Sequence, residues 1–214
     1  MAPKISSLFP ELLLVFPLMG APLPFPPQTQ LSPKLYLSFT AKVIDQTTTL
    51  LMNTLAAVVS QGVQELVLLL STPGGSVMHG MTLYNYLSAL PVDLTTYNIG
   101  NVDSIGAIVF LAGTKRYACP HSTFMLRPVA FGIQAAQNYE QPDLTAIVQS
   151  LEADQARIAG IYAERSGLEK SNALALFNQQ KTYSAAEAQT FKFVDEVKAL
   201  AIDRGARILH LNAV

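Results

Sequence analysis

Cysteine, histidine and charged side chains are scarce in this chain. Of its 214 residues, one is a cysteine (Cys119), three are histidines, none is a tryptophan, and 14% are charged. A single cysteine excludes an internal disulfide and a multi-cysteine metal site. No two of His79, His121 and His210 have the i, i+4 spacing of a zinc-binding pair. We therefore expect no metal and no cofactor, and the composition is consistent with the reducing cytoplasm.

The charge balance and the apolar runs exclude two classes of partner. The formal net charge is −1, and the basic residues are scattered, so nothing predicts a surface for nucleic acid. No run reaches the length of a membrane-spanning helix, about 20 consecutive apolar residues. The nearest candidate, residues 12–19, follows Lys4 and contains Pro17. It can be interpreted as the core of an export signal or as part of an apolar N-terminal arm, and we favour the arm.

The length and the proline distribution predict one domain with two extensions. Half of the residues are apolar and the mean hydropathy is +0.30. Such a composition indicates a large core or apolar surface buried between subunits. The prolines of residues 1–33 favour an extended path. The predicted organisation is an arm over 1–33, an α/β domain over 34–200 and a C-terminal tail over 201–214.

Strand and helix patterns alternate in the body of the chain. The apolar run at residues 66–70 predicts a strand buried on both faces, and shorter strand patterns occur at 35–39 and 94–99. Between these strands, amphipathic spacing predicts helices. A long helix is predicted from Pro142 to Gly167. This β-α-β-α-β order predicts an α/β fold with a parallel sheet.

Two predicted strand-to-helix junctions carry residues suited to chemistry. At Pro73-Gly74-Gly75, glycines allow close backbone approach and leave N–H groups that can stabilise negative charge, although an ordinary glycine turn has the same pattern. At residues 100–107, Ser104 stands at a sharp turn that opens a helix. There it can act as a nucleophile whose hydroxyl projects into a crevice, or it can serve only as a helix cap.

Three segments together resemble the Clp protease proteolytic subunit family. They are residues 71–77 (STPGGSV), 100–107 (GNVDSIGA) and 112–120 (AGTKRYACP), and the resemblance extends from about residue 35 to 197. It implies a crotonase-type fold, a superhelix of β-β-α units with a parallel sheet and a protruding handle helix. The long helix after Pro142 is similar to that handle, by which two rings stack; a plain amphipathic surface helix is the alternative.

The resemblance also implies an activity and a set of site residues. Ser104 matches the nucleophile, and the Gly74–Gly75 backbone with the Ile105 amide matches the oxyanion hole. The implied reaction is hydrolysis of peptide bonds through an acyl-enzyme. It would act on unfolded protein or peptide inside a homo-oligomer, a heptamer or tetradecamer, served by an AAA+ unfoldase or joined by an active paralogue.

The chain departs from this family at the two other positions of the triad. Arg127 stands where the family has its histidine, and Gln180 stands where it has its aspartate. Arginine keeps its proton at physiological pH and cannot accept one from a serine, and an amide offers no counter-charge. The chain is therefore interpreted either as a serine endopeptidase with a degenerate triad or as an inactive subunit with a structural, regulatory or peptide-binding role.

Replacement bases are the remaining question for the sequence. His79, in the helix after the glycines, is the preferred candidate. The weaker candidates are His121, Lys115 in a Ser–Lys dyad, Asp103 and Asp154. Arg127 itself has three interpretations: it binds a carboxylate such as a peptide C-terminus, pairs with an acid of a neighbouring subunit, or is a relic.

A different enzyme class shares the predicted fold. Crotonase-type acyl-CoA enzymes use the same oxyanion-hole logic. The pairing of Pro-Gly-Gly with Asp-Ser-Ile-Gly argues against that class, as does the lack of a basic patch for a nucleotide phosphate.

Overall fold

The computed structural model describes residues 34–132 and 138–211. The predicted arm, 1–33, and the alternative export signal within it lie outside the described residues. The elements follow one another in this order: β1 (Lys34–Phe39), α1 (Asp45–Ser60), β2 (Glu65–Thr72), α2 (Val77–Ala89), β3 (Asp93–Asp103), α3 (Gly106–Leu111), β4 (Lys115–Ala118), β5 (Thr123–Leu126), α4 (Gln141–Ser166), α5 (Lys170–Asn178), β6 (Lys181–Ser184), α6 (Ala185–Thr190), β7 (Glu196–Val197) and β8 (Arg207–Leu211).

The strands form one mostly parallel sheet. Its order is β6-β5-β3-β2-β1-β8, and β4 pairs with β3 and β7 off this path. In the described part of the chain every strand pair is parallel except β5 with β6. The predicted α/β fold with a parallel sheet is confirmed, and parallel pairing explains why helices connect the first strands.

The long strand β3 changes partner along its length. Its first half pairs with β4, and its last three residues, from Asn101 to Asp103, pair with β5. The register between β2 and β3 also shifts between Leu70 and Thr72. Because of this change of partner and register, the carboxyl end of β3 lies beside β5 and not beside β4. The site described below lies at that end.

The two faces of the sheet are covered by different layers. Along β2, Leu66, Leu68 and Leu70 belong to the main core, which includes residues of each described helix, α1 to α6. Val67 and Leu69 point to the other face and pack with the tyrosines of β1 and β3. Burial of each such leucine stabilises the fold by about 1.5–3 kcal/mol. The continuous apolar run is the direct consequence of burial on both faces.

The helix α4 extends beyond the core. In its second half Ile158 and Tyr162 are buried, whereas in its first half Leu144 and Val148 are about half exposed. Gly167 ends the helix in the left-handed conformation, with φ +72°, as the sequence predicts. The protruding first half fits the predicted handle helix.

The C-terminal segment is more regular than a tail. Residues 207–211 form β8, which pairs in parallel with β1 from Leu35 to Phe39. Asp203 before it accepts a hydrogen bond from Lys34 at 2.7 Å. The apolar residues of β8 are spaced as in a strand, but a five-residue strand at a sheet edge gives little sequence signal.

Between residues 34 and 132 and between 138 and 211, no helix is both long and apolar enough to cross a bilayer.

Candidate active site

The glycine turn after β2 is held by three hydrogen bonds. Val43 N–H donates to the Gly74 carbonyl at 2.9 Å, and Ser76 N–H donates to the Val43 carbonyl at 2.8 Å. Gly74 N–H donates to Thr72 Oγ1 at 3.1 Å. A Cβ on Gly75 would collide with the Val43 backbone. The turn therefore needs glycine at position 75 because another chain segment lies directly against it.

Gly74 packs against the serine turn. Its φ is +82°, and a Cβ there would lie 2.7 Å from the Asp103 carbonyl oxygen and 2.9 Å from Ser104 Cβ. The two junctions singled out in the sequence are therefore in direct contact. Only glycine satisfies both the conformation and the space at this position.

Ser104 has a strained backbone fixed by β5. Its φ is +54°, one of three positive values among the described non-glycine residues. Ser104 N–H donates to the Met125 carbonyl at 2.7 Å, and Met125 N–H donates to Asp103 Oδ1 at 3.2 Å. A non-glycine residue in this conformation costs roughly 1–2 kcal/mol. A sharp, strained turn of this kind presents a serine side chain at a strand end.

Two backbone N–H groups beside Ser104 are left without an acceptor. Within residues 34–132 and 138–211, neither Gly75 N–H nor Ile105 N–H donates a hydrogen bond. Gly74 N–H, by contrast, is occupied by Thr72. Of the residues predicted for an oxyanion hole, Gly75 and Ile105 therefore have N–H groups that are free to donate. Gly74 contributes by lacking a Cβ, which allows the close contact with the serine turn.

Ser104 and Arg127 line one small pocket. Its volume is about 60 Å³. The remaining lining residues are Gly75, Val77, Ile105, Pro128, Val129, Ala130, Ile158 and Phe177. This pocket shares Gly75, Val77, Val129 and Ala130 with a groove of about 500 Å³ along α4. The pocket and the groove thus form a continuous cleft.

Arg127 and Gln180 flank the last pair of β5 and β6. The two strands are antiparallel, and their pairing ends with Leu126 opposite Lys181. Arg127 directly follows β5, whereas Gln180 directly precedes β6, has φ +48° and donates its N–H to the Phe177 carbonyl at 3.2 Å. The positions that carry the base and the acid in the resembled family therefore both lie at this end of the strand pair, and they are occupied by a cation and an amide.

Asp103 is the acid that the Arg127 charge reaches. Its half-buried position raises the pKa of the Asp103 carboxyl above its ordinary value. The Met125 N–H and the positive charge of Arg127 oppose this rise. The carboxyl is thus committed to the β5 backbone and is electrostatically coupled to Arg127.

Comparison with known proteins agrees with this geometry. The Clp protease family model matches residues 27–200. The chain belongs to the Clp protease family. It is 28% identical over 136 residues to ATP-dependent Clp protease proteolytic subunit 1 of Corynebacterium jeikeium, an alignment that covers 63% of this chain and 70% of that protein. Subunit 2 of Corynebacterium glutamicum is 28% identical over 140 residues, covering 64% and 68%. Subunit 1 of Mycobacterium tuberculosis strain H37Rv is 27% identical over 136 residues, covering 63% and 66%.

Three of the candidate bases do not line the pocket of Ser104 and Arg127. His79 follows Val77 and Met78 on α2 but lines neither the pocket nor the groove. His121 is exposed in the turn before β5. Lys115 pairs with Thr95 near the start of β3, whereas Ser104 follows the end of that strand. Among the described residues, the pocket of Ser104 is thus lined by none of these three.

Asp154 lies in the groove rather than in the pocket. It lines the groove from α4 and forms an ion pair with Arg157. In the part of the chain that the structure describes, no three His, Cys, Asp or Glu side chains are grouped closely enough to hold a metal ion. The ion-pair partner of Asp154 is thus a cation. A cation does not help a carboxylate to accept a proton, so this pairing gives Asp154 no role as a base.

Several residues that build the Ser104 pocket and the glycine turn beside it are not predicted from the sequence. Val43 and Thr72 fix the glycine turn, and Ile158 and Phe177 form the apolar wall of the pocket. Val43, Ile158 and Phe177 carry only the signal of core residues, and Thr72 lies in the segment 71–77 without a role of its own there. Their role depends on contacts between distant segments, which no local pattern encodes.

Proposed function

We propose that this chain is a ring-forming Clp-type subunit that binds unfolded polypeptide at the Ser104 cleft but hydrolyses it slowly or not at all. One observation carries the proposal: Arg127, and none of the three histidines, lines the pocket with Ser104. Among the described residues that line that pocket, none can then accept the proton of Ser104. The oxyanion donors and the nucleophile position are kept, while the means of activating the nucleophile is missing.

The chemistry of Arg127 makes the loss severe. A guanidinium stays protonated throughout the physiological range and cannot act as a general base. Gln180, just before β6, brings no negative charge that could raise the basicity of a neighbour. Loss of the base in a serine triad costs several orders of magnitude in rate, and the residual catalysis comes from the oxyanion hole and substrate binding.

The cleft is suited to an extended peptide. The pocket beside Ser104 has apolar walls, and the adjoining groove runs along α4 past Ala146, Ile147 and Ser150. A narrow pocket that opens into a longer groove accommodates one side chain and the chain that leads to it. Binding therefore does not require the missing base, and an inactive subunit would still select polypeptide.

Assembly into a ring is the second part of the proposal. The first half of α4 exposes Leu144 and Val148, apolar residues that are unfavourable in water. Family membership and the high apolar content support a homo-oligomer, a heptamer or tetradecamer. An AAA+ unfoldase or an active paralogue is the expected partner, and the cytoplasm is the expected location.

A second candidate function is supported by the strain at Ser104. A serine with φ +54° costs free energy that a purely structural position would not need. The alternative is an active serine endopeptidase whose base comes from a neighbouring subunit. The acyl-CoA class receives no such support, since the family match is to the Clp proteases.

Hydrolysis and assembly can be tested together on the full chain. Fluorogenic peptide cleavage is measured for the wild type, Ser104→Ala and the double variant Arg127→His Gln180→Asp, with ring size determined by analytical ultracentrifugation. The proposal predicts rings in all three and a wild-type rate no higher than that of Ser104→Ala. A wild-type rate far above that of Ser104→Ala would establish the active alternative, and a monomeric wild type would refute the ring.

A further inference from the structure

Arg127 is a cation without a partner in the part of the chain that the structure describes. Within residues 34–132 and 138–211, its side chain makes no hydrogen bond and no ion pair. Asp103 is the acid that its charge influences, and that carboxylate already accepts the Met125 N–H at 3.2 Å. The guanidinium is therefore available to a ligand that enters the pocket.

The donors of the pocket all favour an anion. Gly75 N–H and Ile105 N–H have no acceptor among the described residues, and Ser104 adds a hydroxyl at the same place. Among the residues that the structure describes, no aspartate or glutamate lines this pocket. Two backbone N–H groups, a hydroxyl and a fixed positive charge thus line one small volume, and no side-chain carboxylate among the described lining residues competes for them.

The walls of the pocket narrow the choice of anion. Val77, Val129, Ile158 and Phe177 give it an apolar side, and the cleft continues into the groove along α4. A free inorganic anion makes no use of apolar walls or of a groove. The C-terminal residue of a peptide matches the donors, the apolar walls and the groove, because it joins a carboxylate to an apolar side chain and an extended chain.

We propose that the Ser104 pocket is a binding site for the C-terminal carboxylate of a peptide, with Arg127 as the anchor. One carboxylate oxygen accepts the Gly75 and Ile105 N–H groups, and the other pairs with the Arg127 guanidinium. A planar guanidinium matches a carboxylate in shape and charge. The preferred ligand is a chain end that carries a small apolar final residue. This inference rests on the proposed function, because a site that hydrolysed its ligand would not retain it.

The test compares two peptides that differ only at the chain end. Fluorescently labelled extended peptides of one sequence, ending in valine as the free acid or as the amide, are titrated with the full chain and followed by fluorescence anisotropy. We expect the free acid to bind at least about tenfold more tightly, as a charge-assisted hydrogen bond implies. The preference should vanish in Arg127→Gln, recover in part in Arg127→Lys and persist in Ser104→Ala.

A matched control and a competitor sharpen the result. Arg157→Gln removes a different exposed arginine, one paired with Asp154 on α4, and should leave the preference unchanged. Inorganic phosphate should compete only weakly. Equal binding of the two peptides, a preference that survives Arg127→Gln, binding of neither peptide, or displacement by phosphate as effective as by free-acid peptide would each overturn the inference. Cleavage of the peptides during the titration, seen by mass spectrometry, would instead refute the proposed function.

Discussion

Ser104 and Arg127 line the same pocket, and the hydrogen bonds between β3 and β5 set their relation. Ser104 N–H donates to the Met125 carbonyl at 2.7 Å, two residues before Arg127. The serine turn and the strand end that carries the arginine are thus one rigid unit. A side chain at position 127 faces the nucleophile position whatever its chemistry, and here its chemistry excludes proton acceptance.

The contact between the glycine turn and the serine turn gives the first prediction. Gly74→Ala should lower the free energy of unfolding by about 1 kcal/mol for its positive φ and a further ~1–3 kcal/mol for the collision with Ser104. Gly62→Ala is the matched control, because Gly62 has φ +84° but open space around its Cβ position. Urea denaturation of both variants measures the difference. Equal losses would show that the two turns are not in contact.

The pairing of β8 with β1 gives a second prediction. Leu209 packs against the main core, whereas Ile208 on the same strand is 39% exposed. Leu209→Ala should reduce the free energy of unfolding by about 1–2 kcal/mol, less than a fully buried leucine because it is only half buried. Ile208→Ala should stay within about 0.5 kcal/mol. The reverse order in chemical denaturation would mean that β8 is not docked in this register.

The burial of the Asp103 carboxyl gives a pH prediction. The folded-state pKa of Asp103 lies above its ordinary value of 3.8, so between the two the folded protein binds more protons than the unfolded one. The free energy of unfolding contributed by this group is therefore greatest below pH 3.8 and falls as the pH rises through the folded pKa.

Arg127→Gln should raise the pKa of Asp103 further. The positive charge of Arg127 favours the ionised carboxylate, and its removal leaves the burial penalty less opposed. Carboxyl carbon chemical shifts of Asp103 followed by NMR titration measure the change, with Arg157→Gln as the control. An unchanged or lowered pKa in Arg127→Gln would contradict the placement of the guanidinium.

The exposed apolar residues of α4 give a prediction on assembly. Under the proposed assembly, Leu144→Asp combined with Val148→Asp should convert tetradecamers to smaller species, because charges would replace the apolar contacts proposed for this helix. The free energy of unfolding of the separated subunits should change by no more than about 0.5 kcal/mol. Gln149→Asp, an exposed change on the same helix, should leave the assembly intact. Unaltered sedimentation of the double variant would exclude this face from the contact.

The sequence predicts the fold well where patterns are local. The leucine run of β2 and the glycine end of α4 are both confirmed, because burial on two faces and a left-handed cap leave distinct signatures. No local pattern predicts β8, since its place is decided by pairing with β1 at the other end of the described chain. The same limit applies to the site: the sequence names Gly74 and Gly75 alike, but only the fold turns Gly74 N–H onto Thr72.

Labelling with a fluorophosphonate probe, read by intact mass, tests most directly whether Ser104 lacks a base. The wild type, Ser104→Ala and Arg127→His Gln180→Asp are compared at equal concentration and time. We predict no adduct on the wild type or on Ser104→Ala, and an adduct on the double variant, whose scaffold would then be supplied with a base and an acid. An adduct on the wild type that disappears in Ser104→Ala would contradict the account, since an activated serine requires a base that the pocket does not contain.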